Sequence, residues 1–226
     1  MVKRSHRIGT LAVSLATVCG LVACSGAETT PTAGNEAGAA ATTQTRSAEG
    51  AVTVTDAAGR TLQFDELPER IVLAEGRAAY ATALLQDNPL DNVVAYGQDL
   101  EKAAGAFREK LFEMQPEAKD MPEIGMIHKG DVTVENLLAQ KPDVVIMTLD
   151  QKKSVEESGF ISDLDAAGIT YAFIDFRQKP LENTTVSMQL LGDLLGQSER
   201  AQKYNEFYQA KVKEITDRAA KIADKP

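Results

Sequence analysis

The stretch from Thr133 to Met147 reads TVENLLAQKPDVVIM, and it decides the fold class. Its first half, Thr133 to Gln140, has the length and the apolar spacing of a short helix. Pro142 and Asp143 end that helix and lead into an apolar strand, Val144 to Met147. A helix that is followed at once by a short, fully apolar strand is typical of a parallel sheet covered by helices.

The same alternation continues on both sides of this stretch. It predicts strands at Arg70–Ala74, Asn92–Tyr96 and Ile169–Ile174, an extended stretch at Met121–Ile127, and helices at Arg77–Gln86, Leu100–Met114, Ser154–Ala167 and Leu181–Leu195. Before them, Val52–Asp56 and Arg60–Phe64 alternate apolar and polar residues around Gly59, which predicts a β-hairpin. The expected fold class is therefore α/β, a Rossmann-like parallel sheet flanked by helices and preceded by a hairpin. Ligands of such sheets bind at the carboxyl ends of the strands.

A long helix is predicted at the C-terminal end. Apolar residues recur there at spacings of three and four, which is one helical stripe: Ala201, Tyr204, Tyr208, Val212, Ile215, Ala219 and Ile222. Ser198 is the expected N-cap, and a helix over residues 199–224 would be roughly 39 Å long. Such a helix is unusual in a small α/β unit and suggests a strut between two bodies. We therefore assign residues 51–197 to an α/β lobe and residues 198–226 to the long helix.

Composition and charge exclude several classes of protein. The 226 residues carry 24 Lys and Arg against 33 Asp and Glu, a formal net charge of −9, whereas a general nucleic-acid binder needs clustered basic residues. Two cysteines exclude a disulfide scaffold, and two histidines leave little for a His-built metal centre. The sequence has no nucleophile elbow, phosphate loop or dinucleotide-binding glycine motif. We expect no catalytic residues, no bound metal, no cofactor and no nucleic-acid partner.

The N-terminal residues have the layout of a secretory signal. Lys3, Arg4 and Arg7 precede a mostly apolar run that ends in Leu21-Val22-Ala23-Cys24. This end resembles a bacterial lipobox, in which the cysteine is diacylated and becomes the mature N-terminus. We expect residues 1–23 to be the signal peptide, Cys24 to carry the lipid, and residues 24–50, rich in Ala, Thr and Gly, to be a flexible linker. The alternative is a soluble secreted protein in which Cys24 is incidental.

The stretch Thr133 to Met147 resembles the substrate-binding proteins of ABC importers for iron siderophores, haem and cobalamin. Residues 70–73 and the hairpin match the opening of that family, and Phe176 to Asn183 resembles a subset associated with iron complexes. The resemblance implies two α/β lobes joined by one long helix, with the ligand held between them. This chain resembles the N-terminal lobe and the joining helix, with the second lobe absent.

The resemblance and the strand ends together suggest the site residues. Glu135 matches a family glutamate that pairs with permease arginines; the alternative is a first-turn Glu favoured by the helix dipole. Arg77 and Tyr80, one helical turn apart, and Arg177 follow strand ends and are expected to contact the ligand. Their alternative is an ordinary surface role. His128 lies in a loop and is either a ligand contact or a plain polar residue.

The resemblance implies a lipid-anchored extracytoplasmic protein on the outer face of the bacterial cytoplasmic membrane. It would capture a small iron chelate, with a ferric siderophore favoured over haem or cobalamin, and deliver it to the transmembrane subunits of an ABC permease. The alternative is an extracytoplasmic α/β enzyme or a one-lobed scaffold without a transport role. Asp150 and Asp175, which end their strands, are the residues that could polarise an enzyme site, while Asp143 is expected to be structural.

Overall fold

The computed structural model describes residues 51–222, except for the side chain of His128. The predicted signal peptide, Cys24, the linker at 24–50 and the last residues of the predicted C-terminal helix lie outside this range. Among residues 51–222, we find no helix with the length and apolar character needed to cross a membrane.

The elements follow the predicted order closely. The strands are β1 (Val52–Thr55), β2 (Thr61–Phe64), β3 (Ile71–Leu73), β4 (Val93–Gly97), β5 (Glu123–Ile124), β6 (Val144–Thr148) and β7 (Tyr171–Ile174). The helices are α1 (Ala79–Leu85), α2 (Asp99–Met114), α3 (Val134–Ala139), α4 (Lys152–Glu157), α5 (Phe160–Ala166), α6 (Pro180–Leu194) and α7 (Ser198–Ala219). Short 3₁₀ turns precede α1 (Gly76–Ala78), α3 (Ile127–Lys129) and α4 (Leu149–Gln151).

Five strands form one parallel sheet in the order β5-β4-β3-β6-β7. Neighbouring side chains of a strand point to opposite faces, so each face has its own core. Ile71 and Leu73 pack with α1, α2 and α6, whereas Val72 and Ala74 pack with α3, α4 and α5. Because both faces are covered by helices, the three central strands are mainly apolar, and the α/β prediction is confirmed.

The N-terminal hairpin β1–β2 covers the free edge of β7. Ala57 N–H donates to the Phe173 carbonyl at 2.8 Å, and Phe173 N–H donates to the buried Asp56 carboxylate at 3.1 Å. Arg60 pairs with the same carboxylate at 2.7 Å and lies over the Tyr171 ring at 4.2 Å. Gly59 has a φ of 79°, as expected for the hairpin turn. The edge of the sheet is thereby protected from pairing with another chain.

Three details of the sequence prediction are wrong. The helix predicted over Ser154–Ala167 is two helices, because Gly159 adopts a φ of 80° between α4 and α5. Ser198 is not the N-cap of α7; that position is Gln197, which makes no side-chain capping bond. The long helix ends at Ala219, so its 22 residues span roughly 33 Å at the usual rise per residue rather than the predicted length.

Helix α7 packs antiparallel on α6, but only along its first half. Its Ala201 lies so close to Gly192 that a Cβ at Gly192 would meet the Ala201 Cβ at 2.3 Å. Further along, Asn205 donates to the Thr185 carbonyl and Tyr208 donates to the carbonyl of Pro180, where α6 begins, both at 2.9 Å. Beyond Tyr208 the helix runs past the start of α6, and residues 213–222 are all exposed.

Candidate functional site

Four loops meet where the parallel strands end, and we call this region the carboxyl edge: residues 74–77 after β3, 98–99 after β4, 149–150 after β6 and 175–177 after β7. The loop after β3 and the end of β4 approach closely because each has a glycine at the point of contact, Gly76 in the loop and Gly97 at the end of the strand. A Cβ at Gly76 would lie 2.3 Å from the Gly97 carbonyl oxygen, and one at Gly97 would lie 2.9 Å from the Gly76 nitrogen. Only glycine fits at either position, so the two loops form one unit.

Asp99 ties these two loops together. Its carboxylate accepts hydrogen bonds from the backbone N–H of Gly76 at 2.7 Å and of Arg77 at 3.2 Å, and from the Arg77 Nε at 3.0 Å. Asp99 is buried, and its negative charge is balanced by these donors. Asp99 therefore holds the Arg77 guanidinium in place, so that this group does not move freely in the solvent.

Glu75 lies between the two predicted arginines and contacts both. Arg177 donates to its carboxylate through two nitrogens, Nη1 at 2.8 Å and Nη2 at 2.9 Å, and Arg77 donates through Nη2. Glu75 is only 7% exposed, whereas the Arg77 and Arg177 side chains are 35% and 41% exposed. The buried carboxylate thus holds two half-exposed guanidiniums side by side at the carboxyl edge.

Asp150 is the exposed member of this cluster. Arg177 Nη2 donates to its two oxygens at 2.7 and 2.8 Å. Partial burial would raise the pKa of Asp150, but hydrogen bonds from Thr148 and Arg177 outweigh it and lower the pKa. Burial would likewise lower the pKa of Arg177, but the contacts with Asp150 and Glu75 outweigh it and raise the pKa. Asp150 and Arg177 are therefore both ionised at neutral pH.

Asp175 has a structural role rather than that of a reactive carboxylate. It accepts hydrogen bonds from the backbone N–H groups of Arg177, Gln178 and Lys179 and from the Asn183 side chain, at 2.8–2.9 Å. Burial would raise its pKa, but these four donors outweigh burial and lower it. Asp175 therefore shapes the loop that carries Arg177. Asp143 is also structural, because it accepts from the backbone N–H groups of Glu69 and Arg70 at 2.9 Å.

Tyr80 lies on α1 near Arg77 but has different neighbours. Its ring stacks on Phe107 of α2 with the ring centroids 4.2 Å apart, and it is 47% exposed. The structure therefore places an exposed aromatic surface on α1, three residues after Arg77. His128 follows β5 in a 3₁₀ turn, and its side chain lies outside the described part of the molecule.

Glu135 is separate from this cluster, on the exposed first turn of α3. Thr133 caps this helix: its hydroxyl accepts from the Asn136 N–H at 3.3 Å, and the Asn136 side chain accepts from the Thr133 N–H at 3.2 Å. Glu135 and Asp163 lie on the rim of an open groove of about 620 Å³ between α3 and α5, with Phe160 at its wall. The groove carries negative charge and an apolar wall.

Sequence reasoning found both arginines but missed Glu75 and Asp99. Glu75 and Asp99 each lie two residues after the end of a strand, β3 and β4 respectively, and that position was the available signal. Their pairing with arginines distant in sequence was not visible. In residues 51–222, no group of His, Cys, Asp and Glu side chains is arranged to hold a metal ion. The described site can donate hydrogen bonds and offer an aromatic face, which suits ligand binding.

A family profile described as periplasmic binding protein matches residues 112–226, just over half of the chain. The chain belongs to the periplasmic binding protein family. This confirms the family predicted from Thr133 to Met147, whose members are extracytoplasmic binding proteins rather than enzymes. No curated protein sequence matches the chain significantly.

Several solved structures have a similar fold. A TroA-like periplasmic binding protein, FepB of Veillonella parvula, is 28% identical with a TM-score of 0.69, over 76% of this chain and 50% of that one. A periplasmic solute binding protein of Veillonella parvula DSM 2008 is 19% identical with a TM-score of 0.59, over 78% and 50%. CeuE of Helicobacter pylori, in a Ni-His complex, is 19% identical with a TM-score of 0.56, over 77% and 52%. This member of the periplasmic binding protein family thus spans about half the length of these proteins.

Proposed function

We propose that this chain captures a small iron chelate outside the cytoplasm and delivers it to the permease of an ABC importer. The observation that carries the proposal is the carboxyl edge, where the half-exposed guanidiniums of Arg77 and Arg177 lie side by side with Tyr80 nearby. Parallel α/β sheets bind their ligands at this edge. Family membership adds the transport role, and no observation favours an enzyme.

Ligand contact is assigned to Arg77, Tyr80 and Arg177, with His128 as a further candidate after β5. Guanidinium N–H groups suit the oxygen atoms of a ferric chelate, and the exposed Tyr80 ring suits its apolar parts. A ferric siderophore is the favoured ligand. Haem and cobalamin are the other two ligand classes to be compared.

The test is a titration of the full chain with ferric siderophores, haem and cobalamin, followed by quenching of tyrosine fluorescence, since the chain has no tryptophan. We expect one class to bind and Arg177→Ala to weaken it at least tenfold. Arg200→Ala is the matched control, because Arg200 lies on α7 and pairs with the exposed Asp87 at a distance of 3.0 Å. Equal effects of the two variants, or no binding of any chelate, would contradict the proposal.

Permease docking is assigned to Glu135. The exposed carboxylate stands beside Asp163 on the rim of the α3–α5 groove, where an arginine of the permease would find an anionic partner and the apolar wall at Phe160. This surface is separate from the carboxyl edge, so docking and ligand binding are expected to be independent.

Membrane anchoring is assigned to Cys24. Two acyl chains on one residue are sufficient for stable attachment, whereas a single chain is marginal. Cys24→Ala should abolish labelling of the protein by radioactive palmitate and should leave precursor uncleaved or released. Normal processing and membrane partition of that variant would contradict the assignment.

A further inference from the structure

We propose that Glu75 and Asp150 determine the charge of the ligand: they neutralise Arg77 and Arg177, so that the carboxyl edge takes a neutral, oxygen-rich chelate and disfavours an anionic one. This inference rests on the proposed function. It departs from the simplest interpretation of two exposed arginines, which is a site for anions.

Both arginines already donate pairs of hydrogen bonds to protein carboxylates. A ligand carboxylate or phosphate binds an arginine best through two parallel N–H donors. At Arg177 the Nη1 and Nη2 pair is occupied by Glu75 at 2.8 and 2.9 Å, and Nη2 also donates to Asp150 at 2.7 Å. At Arg77 the Nε donates to Asp99 and the Nη2 to Glu75. An anionic ligand must therefore displace a protein carboxylate before it gains a bidentate contact.

The cluster as a whole carries a negative formal charge. Its two positive groups, Arg77 and Arg177, face three negative groups, Glu75, Asp99 and Asp150. The formal charge is therefore −1, although two of the three partly exposed side chains, Arg77 and Arg177, are basic. Glu75 and Asp99 are buried, so solvent screens their field less than it would at the surface. Asp175, whose carboxylate accepts hydrogen bonds from backbone N–H groups, adds a further negative charge and so does not attract an anion either.

Some N–H donors of the two arginines remain available to a ligand. Among residues 51–222, no group accepts a hydrogen bond from Arg77 Nη1 or Arg177 Nε. These N–H donors can bind uncharged acceptor oxygens without a compensating negative charge. A ferric tris-hydroxamate, which is neutral because three singly charged groups balance the ferric ion, fits this description. A ferric tris-catecholate, which carries three negative charges, does not.

The decisive experiment observes the arginines directly. The Nε–H signals of Arg77 and Arg177 are followed by NMR in the full chain at low salt while inorganic phosphate, a small dianion, is added. We expect no saturable shift in the wild type at low millimolar phosphate. Asp150→Asn should produce a saturable shift of Arg177, with affinity for phosphate at least tenfold higher than in the wild type.

A second variant and a control variant complete the test. Glu75→Gln should extend the phosphate response to both arginines. Asp150 is exposed, so its variant is informative even if the buried Glu75→Gln proves unstable. Glu182→Gln, which removes an exposed partner of Lys179 at 3.1 Å, should change nothing. Tight phosphate binding by the wild type, or no gain in Asp150→Asn, would overturn the inference.

Chelate titrations separate this inference from the proposed function. The wild type should bind a neutral tris-hydroxamate at least tenfold more tightly than a tris-catecholate, and Asp150→Asn should narrow that ratio. Preference of the wild type for the anionic chelate would overturn the charge selection while leaving solute binding intact. Absence of binding to every chelate would instead refute the proposed function, and the phosphate result would still decide the role of Glu75 and Asp150.

Discussion

Glu135 lies on the exposed first turn of α3, and its only assigned partner is outside this chain. Replacing it by glutamine removes one charge and little volume, so the fold and ligand affinity should not change. Loss of one charge-assisted contact is expected to cost about 1.5–3 kcal/mol, which is roughly a tenfold to hundredfold loss of permease affinity. Uptake at limiting binding protein measures this.

The matched control for docking is Glu157→Gln, because Glu157 is also exposed and pairs only loosely with Lys153, at 3.7 Å. It should leave uptake unchanged. Normal uptake with Glu135→Gln would favour the helix-dipole role of Glu135. A parallel fall in ligand affinity would place Glu135 in the fold or in the ligand site.

Asp175 allows a prediction about stability and pH. Asp175→Asn replaces an acceptor of four hydrogen bonds by a group that also carries donors, so the free energy of unfolding should fall by about 2–4 kcal/mol. Urea unfolding measures the loss, and Asp65→Asn, at an exposed position, is the control. If Asp175→Asn lowered the free energy of unfolding less than Asp65→Asn does, the structural role of Asp175 would be contradicted.

The pH dependence of this contribution follows from the lowered pKa of Asp175. The unfolded chain binds its proton at a higher pH than the folded one. The stabilisation is therefore fully present above the ordinary aspartate pKa of about 4 and is lost as the pH falls below it, towards the lowered pKa. The difference in unfolding free energy between wild type and Asp175→Asn should shrink in that acidic range.

At the scale of elements, the α6–α7 contact depends on Gly192. An alanine there would place its Cβ 2.3 Å from the Ala201 Cβ, so the helices must separate. We expect Gly192→Ala to lower the free energy of unfolding by about 1–3 kcal/mol. In contrast, Gly105→Ala in α2 meets no atom within 4 Å and should be neutral or gain up to about 1 kcal/mol. Equal thermal midpoints for the two variants would contradict the close helix contact.

The prediction of elements from sequence succeeded where a single pattern sufficed. Buried strands such as Val144–Thr148 are apolar up to their last residue, and Gly or Pro residues lie near their ends. It failed at Gly159, because the apolar residues close to the break, Val155 before it and Phe160 and Leu164 after it, pack into the same core cluster. A glycine inside a helical pattern does not reveal whether its φ is positive, since that depends on the packing of the two segments.

The prediction of the site was partial for a related reason. Strand ends placed Arg77 and Arg177 at one edge, since topology alone brings those ends together. Their shared partner Glu75 lies 102 residues from Arg177 in the sequence. A pairing over that distance requires the strand order β3-β6-β7 and the lengths of two loops, which no local pattern contains.

At the scale of the whole molecule, α7 is half packed and half exposed. Val212, Ile215, Ala219 and Ile222 continue the apolar stripe beyond the last contact with α6, and Ile215 is 65% exposed. In hydrogen exchange, amides at 201–208 should therefore be strongly protected, whereas those at 213–219 should exchange fast. Strong protection beyond Val212 would mean that another body covers the stripe.

Two isomeric residues provide a matched stability test of this division. Ile215→Ser should change the free energy of unfolding by less than about 0.5 kcal/mol, because little burial is lost. Leu191→Ser, at a residue only 1% exposed, should cost about 3 kcal/mol or more. Similar losses in the two variants would contradict an exposed distal half.

The contact between Gly76 and Gly97 constrains how this protein can acquire new ligands. Each glycine occupies space that the other loop needs, and a Cβ at Gly97 would also lie 2.7 Å from the Ala74 carbonyl oxygen. A lineage that lengthens or exchanges one of these loops must therefore alter the other in the same step. In protein engineering, the two loops should therefore be varied together. Libraries that randomise residues 74–77 alone should yield folded variants that mostly keep Gly76, whereas libraries that also randomise residues 97–99 should yield folded variants with other residues at both positions.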